Sequence, residues 1–422
     1  MKATIHPGTP KKGVKIPPSK SMAHRAIICA SLAKGKSRID NVAYSKDIVT
    51  TIEGMRALGA QIITHDDFVE VEGIENFQQL KETTISCSES GSTLRFFIPI
   101  FSLCGQKVSF TGKGRLMDRP QKIYETIFHE RGLHFEQKDG HIEIQGALTS
   151  GEYTVAGDVS SQFISGLLFI LPLLQENSTI HVTEPFESRS YVELTMQMLA
   201  YFGVESEFLN QNTIYVKGKQ AYQPVCYAIE GDYSQLAFYA VLAALNSDLK
   251  ITGVNHDSLQ GDKVILDILK KANVRIEEIL HGYQVYKSDV KGCDIDLANC
   301  PDLGPILCVL GAYADGHTHI YNAERLRIKE SDRIAAMEAE LLKLGVDIHT
   351  TSGDIYIEGK QKYKGNQDFH GHNDHRIVMS MAVASTLCEQ SCRIDDAQAI
   401  QKSYPQFFDD LSACEIEVDL YE

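Results

Sequence analysis

Residues 17–71 read PPSKSMAHRAIICASLAKGKSRIDNVAYSKDIVTTIEGMRALGAQIITHDDFVEV, and the fold follows from this stretch. Its two prolines exclude a helix upstream, Ser19 or Ser21 can cap the first helical run, and Gly35 and Gly59 end the two helices. After Gly59 the apolar residues alternate, which predicts a hairpin. The predicted elements are helix, strand, helix and two hairpin strands, over residues 24–33, 37–42, 47–58, 61–64 and 68–71. With a short strand before the first helix, the unit is β-α-β-α-β-β.

The same unit recurs along the whole chain. Six segments open a long apolar run in a similar way, with steps of 70, 69, 74, 68 and 71 residues between Ser21, Gly91, Ser160, Ser234, Asp302 and Asn373. The turn that ends the second helix keeps the same period, at Gly59, Gly132, Gly203, Asn273, Gly345 and Cys414. Two independent markers with one period predict six copies of one supersecondary unit. In an α/β chain of 422 residues, six units divide most naturally into two domains of three.

Composition narrows the class of protein. The net charge of −15 argues against a nucleic-acid partner, because phosphate backbones select basic proteins. The longest apolar run, residues 163–174, is too short to span a bilayer, and the N-terminus lacks the apolar core of a signal peptide. Ten cysteines without any Cys-x-x-Cys pair indicate reduced thiols rather than a disulfide framework. We therefore expect a cytoplasmic protein with no membrane partner.

Several cations occupy positions where a helix disfavours them. Lys20 lies in a predicted first turn, against the helix dipole, at a cost of about 0.3–1 kcal/mol. Lys329 and Arg333 are spaced i, i+4, so in a continuous helix they would repel each other by about 0.2–0.5 kcal/mol. Glu330 and Asp332 relieve this repulsion only in part. The repetition of such placements predicts a bound anion at the helix starts.

Six short motifs, in this order along the chain, resemble those of the EPSP synthase family: residues 18–25 (PSKSMAHR), 91–95 (GSTLR), 118–120 (DRP), 160–162 (SSQ), 329–333 (KESDR) and 373–376 (NDHR). The resemblance implies that family's fold, an inside-out α/β barrel in each of two domains of three repeats, with helices inside and sheets outside. It places one domain at 15–228 and the other at 1–14 with 229–422, joined by two crossover strands, with the active site in the cleft between them.

The resemblance also implies a reaction. The 5-hydroxyl of shikimate 3-phosphate adds to C2 of phosphoenolpyruvate, and the tetrahedral intermediate then expels phosphate, a step of chorismate and aromatic amino acid biosynthesis. No cofactor and no metal are implied. The partners would be the two small anionic substrates, and we expect a monomer. The inhibitor glyphosate would occupy the phosphoenolpyruvate site, with access to it controlled by Gly91.

Site residues carry over position by position. The implied catalytic residues are Asp302, Glu330 and Lys20. The implied contacts to shikimate 3-phosphate are Lys20, Ser21, Arg25, Ser160, Ser161, Gln162, Ser188, Asp302 and Lys329. Those to phosphoenolpyruvate are Lys20, Gly91, Arg119, Gln162, Arg333, Arg376 and Lys402. Arginine forks suit phosphate and carboxylate oxygens, which agrees with the arginines on the phosphoenolpyruvate side.

Two departures from the family pattern bear on these assignments, as does a purely structural alternative for each of two carboxylates. Glu89 and Arg325 stand where many members of the family have asparagine, and neither is included among the site residues. Asp302 precedes an apolar helix and could be a simple N-cap. Glu330 could be a solvated carboxylate of a first turn. Without the surrounding motifs, the residues alone leave both alternatives open.

Three other functions compete with this interpretation. Residues 370–375 (HGHNDH) fit the H-x-H-x-D-H signature of zinc hydrolases, but no histidine follows His375 to complete such a site. A sister enzyme transfers the same group to a UDP-linked amino sugar, but it carries Lys-Asn where this chain has Lys20-Ser21, and a cysteine in the loop that here contains Arg119. A binding module that has lost catalysis is disfavoured by the presence of both carboxylates and the full basic set.

Overall fold

The structure is a computed structural model that describes residues 1–77, 80 and 82–422. It contains long helices wherever the sequence predicts the start of a repeat. The α-helices of the described residues are α1 (Lys20–Leu32), α2 (Lys46–Leu58), α3 (Gly91–Ser102), α4 (Lys122–Glu130), α5 (Ser161–Ile170), α6 (Arg189–Tyr201), α7 (Tyr233–Leu245), α8 (Ile265–Lys271), α9 (Gly304–Tyr313), α10 (Arg333–Leu344), α11 (His375–Thr386) and α12 (Phe407–Ala413).

The strands are short and regularly spaced between the helices. They are β1 (Lys2–Ile5), β2 (Val14–Lys15), β3 (Lys36–Asp40), β4 (Gln61–Thr64), β5 (Phe68–Glu72), β6 (Thr84–Ser86), β7 (Val108–Thr111), β8 (His134–Lys138), β9 (His141–Gln145), β10 (Glu152–Ala156), β11 (Ser178–Thr183), β12 (Ser206–Asn210), β13 (Thr213–Val216), β14 (Cys226–Ala228), β15 (Leu249–Thr252), β16 (Ile276–Ile279), β17 (Gly282–Val285), β18 (Asp294–Asp296), β19 (His317–Tyr321), β20 (Asp347–Thr350), β21 (Ile355–Glu358), β22 (Asp368–Phe369), β23 (Cys392–Ile394) and β24 (Val418–Tyr421).

These strands form six four-stranded sheets within the described residues, one for each repeat. In the second repeat the order is β6-β7-β9-β8: β6 and β7 are parallel across α3, β7 and β9 are antiparallel, and β8 and β9 form the hairpin. The third and fifth repeats have the same arrangement in β10-β11-β13-β12 and β18-β19-β21-β20. The predicted α/β class and the β-α-β-α-β-β unit are confirmed.

In the other three repeats one strand comes from a distant part of the chain. The sheet of the first repeat is completed by β14, that of the fourth by β2, and that of the sixth by β1. A short strand precedes the first helix in these repeats too, β2 before α1 and β14 before α7, but in the first and fourth repeats this strand pairs in the sheet of the other repeat. The strand β2, which directly precedes α1, pairs instead with β15 of the fourth repeat, with Ile251 opposite Val14.

The chain divides into two compact units. We call residues 18–229 the central unit, and residues 1–17 with 230–422 the terminal unit. Each has its own apolar core, built in the central unit between Met22 and Ile229 and in the terminal unit from β1, β2 and the residues after Tyr233. No helix among the described residues is long and apolar enough to cross a membrane.

The first helix of each repeat and the sheets differ in how they are buried. The first helix of a repeat is buried around its whole circumference: in α7, every residue from Tyr233 to Ala244 is buried. The sheets bury one face only, as the alternating burial of β3 and β5 shows. Helices therefore lie inside each unit and sheets cover them, which confirms the predicted arrangement.

Candidate active-site clusters

In the central unit, the starts of the first helices of three repeats lie close together. Each is capped by a serine hydroxyl that accepts a backbone N–H of the first turn, at Ser19, Ser90 and Ser160. The hydroxyls of Thr51 on α2 and Thr93 on α3 are 2.8 Å apart, and Arg95 on α3 donates to Gln162 Oε1 on α5 at 2.8 Å. These contacts bring together helix N-termini, whose N–H groups favour an anion.

Arg25 is the most deeply buried arginine of this cluster. Its Nε donates to Thr195 Oγ1 at 2.7 Å, and its two terminal nitrogens donate to the carbonyls of Ser21 (2.7 Å) and Tyr191 (3.2 Å). Burial lowers the pKa of Arg25 to about 10, which still leaves it charged at neutral pH. Ser188, three residues before Tyr191, is buried in a left-handed conformation with φ 52° at the start of α6. The predicted Ser21, Arg25 and Ser188 are thus neighbours.

Gly91 lies against a guanidinium. A Cβ atom at this position would be 2.6 Å from Arg119 NH1 and 3.8 Å from Gln162 Oε1. Gln162 also donates from Nε2 to Ser92 Oγ at 2.8 Å, and Ser161 beside it is buried as the first residue of α5. A side chain at position 91 would therefore displace the end of the Arg119 fork.

Lys20 has an internal partner. Its Nζ lies 2.8 Å from Asp47 Oδ2 in the first turn of α2, and only 17% and 10% of the two side chains are exposed. The unfavourable position of Lys20 against the dipole of α1 is therefore compensated by a carboxylate of the protein. The bound anion that the sequence predicts at this helix start stays a prediction.

In the terminal unit, Asp302 is the centre of the second cluster. Its Oδ1 accepts hydrogen bonds from Arg333 NH1 (3.1 Å) and Lys329 Nζ (3.5 Å), and its Oδ2 accepts one from Arg376 NH2 (3.0 Å). Burial would raise the pKa of Asp302, but Arg376, Lys329 and Arg333 outweigh it and hold that pKa well below its usual range. No backbone N–H of the following helix is capped by this carboxylate, so the N-cap alternative is wrong.

Arg333, the first residue of α10, is 1% exposed and binds three carboxylates. Its Nε donates to Asp374 Oδ2 at 2.8 Å and its NH2 to Glu330 Oε2 at 2.7 Å, besides the contact to Asp302. Burial would raise the pKa of Asp374, but Arg333 outweighs burial and that pKa falls to about 2. The Glu330 side chain is only 16% exposed, so the alternative of a solvated carboxylate is wrong.

Arg376 and Lys402 complete the cluster. Arg376 NH2 donates to Ser234 Oγ at the start of α7 (3.0 Å), while its Nε and NH1 are buried and find no acceptor among the described residues. Lys402, also buried, donates from Nζ to the carbonyl of Asn373. Three helix starts of the terminal unit, those of α7, α9 and α11, therefore meet at Arg376.

Lys329 and Arg333 are close for a different reason than predicted. Asp332 is the N-cap of α10, with its side chain accepting from Ala335 N at 3.0 Å, so Lys329 lies outside the helix in an extended conformation. The expected i, i+4 repulsion within one helix is wrong. The Asp302 carboxylate holds the two cations instead. Burial lowers the pKa of Lys329, and the nearby Asp302 carboxylate opposes this effect.

The zinc-like hexapeptide does not converge on one point. His370 contacts Asp395 (2.8 Å), His372 contacts Glu340 (3.1 Å), and Asp374 binds Arg333. His370, Asp395 and Asp396 do bring ligand atoms within 4.8 Å of one another, but both aspartates already accept backbone N–H groups of the same loop. The first two histidines of the signature, His370 and His372, thus bind two different carboxylates.

Sequence reasoning missed four polar residues of the clusters: Asp47, Arg95, Ser234 and Asp374. Arg95 and Asp374 lie inside motifs quoted above, so their positions were visible while their partners were not. Asp47 lies in the first turn of α2, where acidic residues are common because the helix dipole favours them. Only the packing of α2 against α1 within the same repeat shows that it faces Lys20.

Comparisons with known proteins agree with this geometry. The family profile described as EPSP synthase (3-phosphoshikimate 1-carboxyvinyltransferase) matches residues 6–411. The chain belongs to the EPSP synthase family. A 3-phosphoshikimate 1-carboxyvinyltransferase of Clostridium beijerinckii is 44% identical over 96% of this chain and 95% of its own length, and one of Clostridium perfringens is 44% identical over 98% of each. The predicted family and transferase activity are confirmed.

Two solved structures share the fold of this EPSP synthase family member. The EPSP synthase from Acinetobacter baumannii superimposes with a TM-score of 0.80 at 24% identity, covering 99% of this chain and 100% of that one. The enolpyruvyl transferase NikO from Streptomyces tendae gives a TM-score of 0.81 at 16% identity, covering 99% and 98%. At these identities the likeness shows the fold alone.

Proposed function

We propose that Asp302, Glu330 and Lys20 carry the proton transfers by which this enzyme moves the carboxyvinyl group of phosphoenolpyruvate to the 5-hydroxyl of shikimate 3-phosphate. The observation that carries the proposal is Arg376, a guanidinium 4% exposed whose Nε and NH1 lack acceptors among the described residues. Buried donors require partners, and phosphate or carboxylate oxygens of a substrate supply them.

The remaining binding groups follow from the same chemistry. We assign shikimate 3-phosphate to Lys20, Ser21, Arg25, Ser160, Ser161, Gln162, Ser188, Asp302 and Lys329. We assign phosphoenolpyruvate to Lys20, Gly91, Arg119, Gln162, Arg333, Arg376 and Lys402. The helix N-termini beneath Ser160 and Gly91 add oriented N–H groups that favour phosphate oxygens.

The reaction needs two opposite proton transfers. When the 5-oxygen bonds to C2, the hydroxyl proton leaves and the methylene carbon C3 gains a proton. When the C2–O bond to phosphate then breaks, C3 loses a proton and the vinyl double bond returns. Asp302, kept ionised by its three cations, takes the hydroxyl proton. Glu330 and the ammonium of Lys20 serve the transfers at C3.

Substrate binding makes Asp302 a better base. In the resting enzyme Arg376, Lys329 and Arg333 hold the pKa of Asp302 well below its usual range, against the effect of burial, so the carboxylate has little affinity for a proton. Bound phosphate and carboxylate groups neutralise those same cations. The pKa of Asp302 then rises towards that of a useful general base only when the anions are in place.

A phosphate-release assay tests the function. We expect release of phosphate from phosphoenolpyruvate that requires shikimate 3-phosphate, does not occur with the UDP-linked amino sugar, and persists in EDTA. Release with the amino sugar alone would assign the chain to the sister activity. Loss of activity in EDTA that zinc restores would support the hydrolase interpretation of His370 and His372.

The protein acts as a monomer in this proposal, and its cytoplasmic location stays a prediction. Apart from the consecutive Leu420 and Tyr421 of β24, the large exposed apolar side chains of the described residues are scattered, such as Ile63 in β4 and Leu209 in β12, and do not build one apolar face within an element. Light scattering during gel filtration would measure the mass; a dimer would contradict this assignment.

A further inference from the structure

Glu340 is a buried carboxylate that lies outside both clusters. It is on α10, only 2% of its side chain is exposed, and it accepts three hydrogen bonds: from His370 N (2.9 Å), Lys343 Nζ (2.6 Å) and His372 Nε2 (3.1 Å). Burial would raise the pKa of Glu340, but these donors outweigh burial and lower it. Because an ionised carboxylate can only accept, His372 Nε2 carries a hydrogen.

The loop that Glu340 binds has an unusual backbone. His372 and Asn373 are consecutive left-handed residues, with φ of 53° and 48°. Each left-handed residue other than glycine is strained, so the conformation persists only where its surroundings fix it. Glu340 holds the loop on one side, and on the other Asp395 accepts from Gly371 N and Asp396 from Asn373 N, both at 2.8 Å.

The left-handed backbone of residues 372–373 fixes two contacts of the second cluster, in the terminal unit. The carbonyl of Asn373 accepts from Lys402, and the next residue, Asp374, caps α11 and binds Arg333 through Nε and NH2. If residues 372–373 relaxed to right-handed backbone, the direction of that carbonyl and of the Asp374 side chain would change together. Lys402 and Arg333 would then lose their fixed positions.

We infer that Glu340 is a positioning residue of the transfer reaction, which acts through residues 370–374 on Lys402 and Arg333. The inference rests on the proposed function, because that proposal assigns Lys402 and Arg333 to phosphoenolpyruvate. It gives the hexapeptide a role without metal: His372 and the His370 amide are the donors by which α10 holds the loop. Its effect is specific to phosphoenolpyruvate, since no proposed shikimate 3-phosphate contact lies in this loop.

The test compares Glu340→Gln with a matched control on the same helix. Glu338→Gln makes the same change where, among the residues that the structure describes, the carboxylate accepts from Thr350 Oγ1 in β20 alone, at 2.8 Å. A displacement of about 1 Å at a binding group can cost on the order of 100-fold, so for Glu340→Gln we expect KM for phosphoenolpyruvate to rise by roughly 10- to 100-fold. KM for shikimate 3-phosphate should stay within about twofold of the parent, and Glu338→Gln should change neither constant.

A second variant covers the case in which Glu340→Gln does not fold. His372→Asn keeps a residue that tolerates left-handed backbone but is too short to reach Glu340, and we expect the same selective rise. Calorimetric titration of phosphoenolpyruvate alone, without the second substrate so that no turnover occurs, should show the same loss of affinity. Unchanged affinity, or equal loss for both substrates, would overturn the inference. If the parent enzyme itself released no phosphate, the proposed function would fail instead.

Discussion

Asp302 and Arg376 are joined by a hydrogen bond of 3.0 Å although they are 74 residues apart, which is one repeat of the chain. Arg376 bonds equally closely to Ser234, 142 residues away, or two repeats. The periodicity of the sequence is thus visible in the cluster itself. Equivalent helix starts of successive repeats supply the Ser234 hydroxyl and the Asp302 carboxylate, and both meet at the Arg376 guanidinium.

Neutralising Asp302 should damage turnover far more than binding. In Asp302→Asn we expect kcat to fall about 10²- to 10⁴-fold, the usual contribution of a general base. KM for both anions should stay equal or fall, because Lys329, Arg333 and Arg376 lose a carboxylate that competes with substrate. Steady-state kinetics measure both constants, with Asp294→Asn, an exposed position in β18, as control. A normal kcat would remove Asp302 from the mechanism.

The acid limbs of the pH profiles should differ. In the resting enzyme, the nearby cations lower the pKa of Asp302 against the effect of burial. The Asp302 carboxylate therefore stays ionised to a pH well below the usual titration range of an aspartate, and the base is lost only below that pH. Bound anions relieve the depression and shift the loss to higher pH. We expect the acid limb of kcat, which reports the complex, at higher pH than that of kcat/KM. Coincident limbs would contradict substrate control of this pKa.

Glu330 should matter for chemistry and not for folding. Glu330→Gln keeps an oxygen that can accept from Arg333 NH2, now 2.7 Å from Glu330 Oε2, so the melting temperature should change little. Turnover should fall about 10²- to 10⁴-fold if the carboxylate takes part in proton transfer. Single-turnover phosphate release separates this step from binding. A variant with normal turnover and lowered stability would show a purely structural role.

A methyl group at Gly91 should displace Arg119. The added Cβ would lie 2.6 Å from Arg119 NH1, so the fork must move away from its substrate. We expect Gly91→Ala to raise KM for phosphoenolpyruvate and, because glyphosate shares that site in the family, to raise its inhibition constant. Both are measured in the same assay, with Gly8→Ala as a control, because Gly8 is not left-handed and the atom nearest to an added Cβ is the end of the Ile416 side chain at 3.1 Å. An unchanged inhibition constant would refute this pocket geometry.

Asp374 should contribute to the acid stability of the terminal unit. Its folded pKa of about 2, lowered by Arg333 against the effect of burial, lies below the unfolded value near 3.9. It therefore contributes about 2–3 kcal/mol of stability above pH 4, lost as the pH falls through 2. In Asp374→Asn, breaking the buried pair should cost about 3–5 kcal/mol at neutral pH and flatten the acid dependence. Thermal melts between pH 7 and 3 measure this, with Asp409→Asn as control.

Local features of the fold were predictable and long-range pairings were not. The hairpin predicted over 61–64 and 68–71 is β4 and β5, and the helix predicted over 47–58 is α2 with one more residue. Alternation and stop signals within a few residues decide such elements. The partner of β1 could not be predicted, because the pattern of Lys2–Ile5 shows a strand with one buried face but contains no information on its neighbours.

For the clusters, the motifs predicted which residues matter but not how their charges are balanced. The spacing of Lys329 and Arg333 predicts one helical face, whereas in the structure Asp332 caps α10 and leaves Lys329 outside the helix. This signal was present, since aspartate is a favoured N-cap and Ala335 follows three residues later. The pairing of Lys20 with Asp47 had no such local signal, because it depends on how α1 packs against α2.

The strand β1 is translated long before the strands with which it pairs. β1 lies between β23 and β24 in its sheet, so residues 2–5 have both neighbours only after residues 392–394 and 418–421 have been translated. At about 5–20 residues per second, the nascent strand carries unpaired edges for roughly 20–80 seconds. Residues 18–229, in contrast, contain every strand of their three sheets once β14 has been translated. The central unit can therefore fold during translation, whereas the last sheet of the terminal unit must wait for β24.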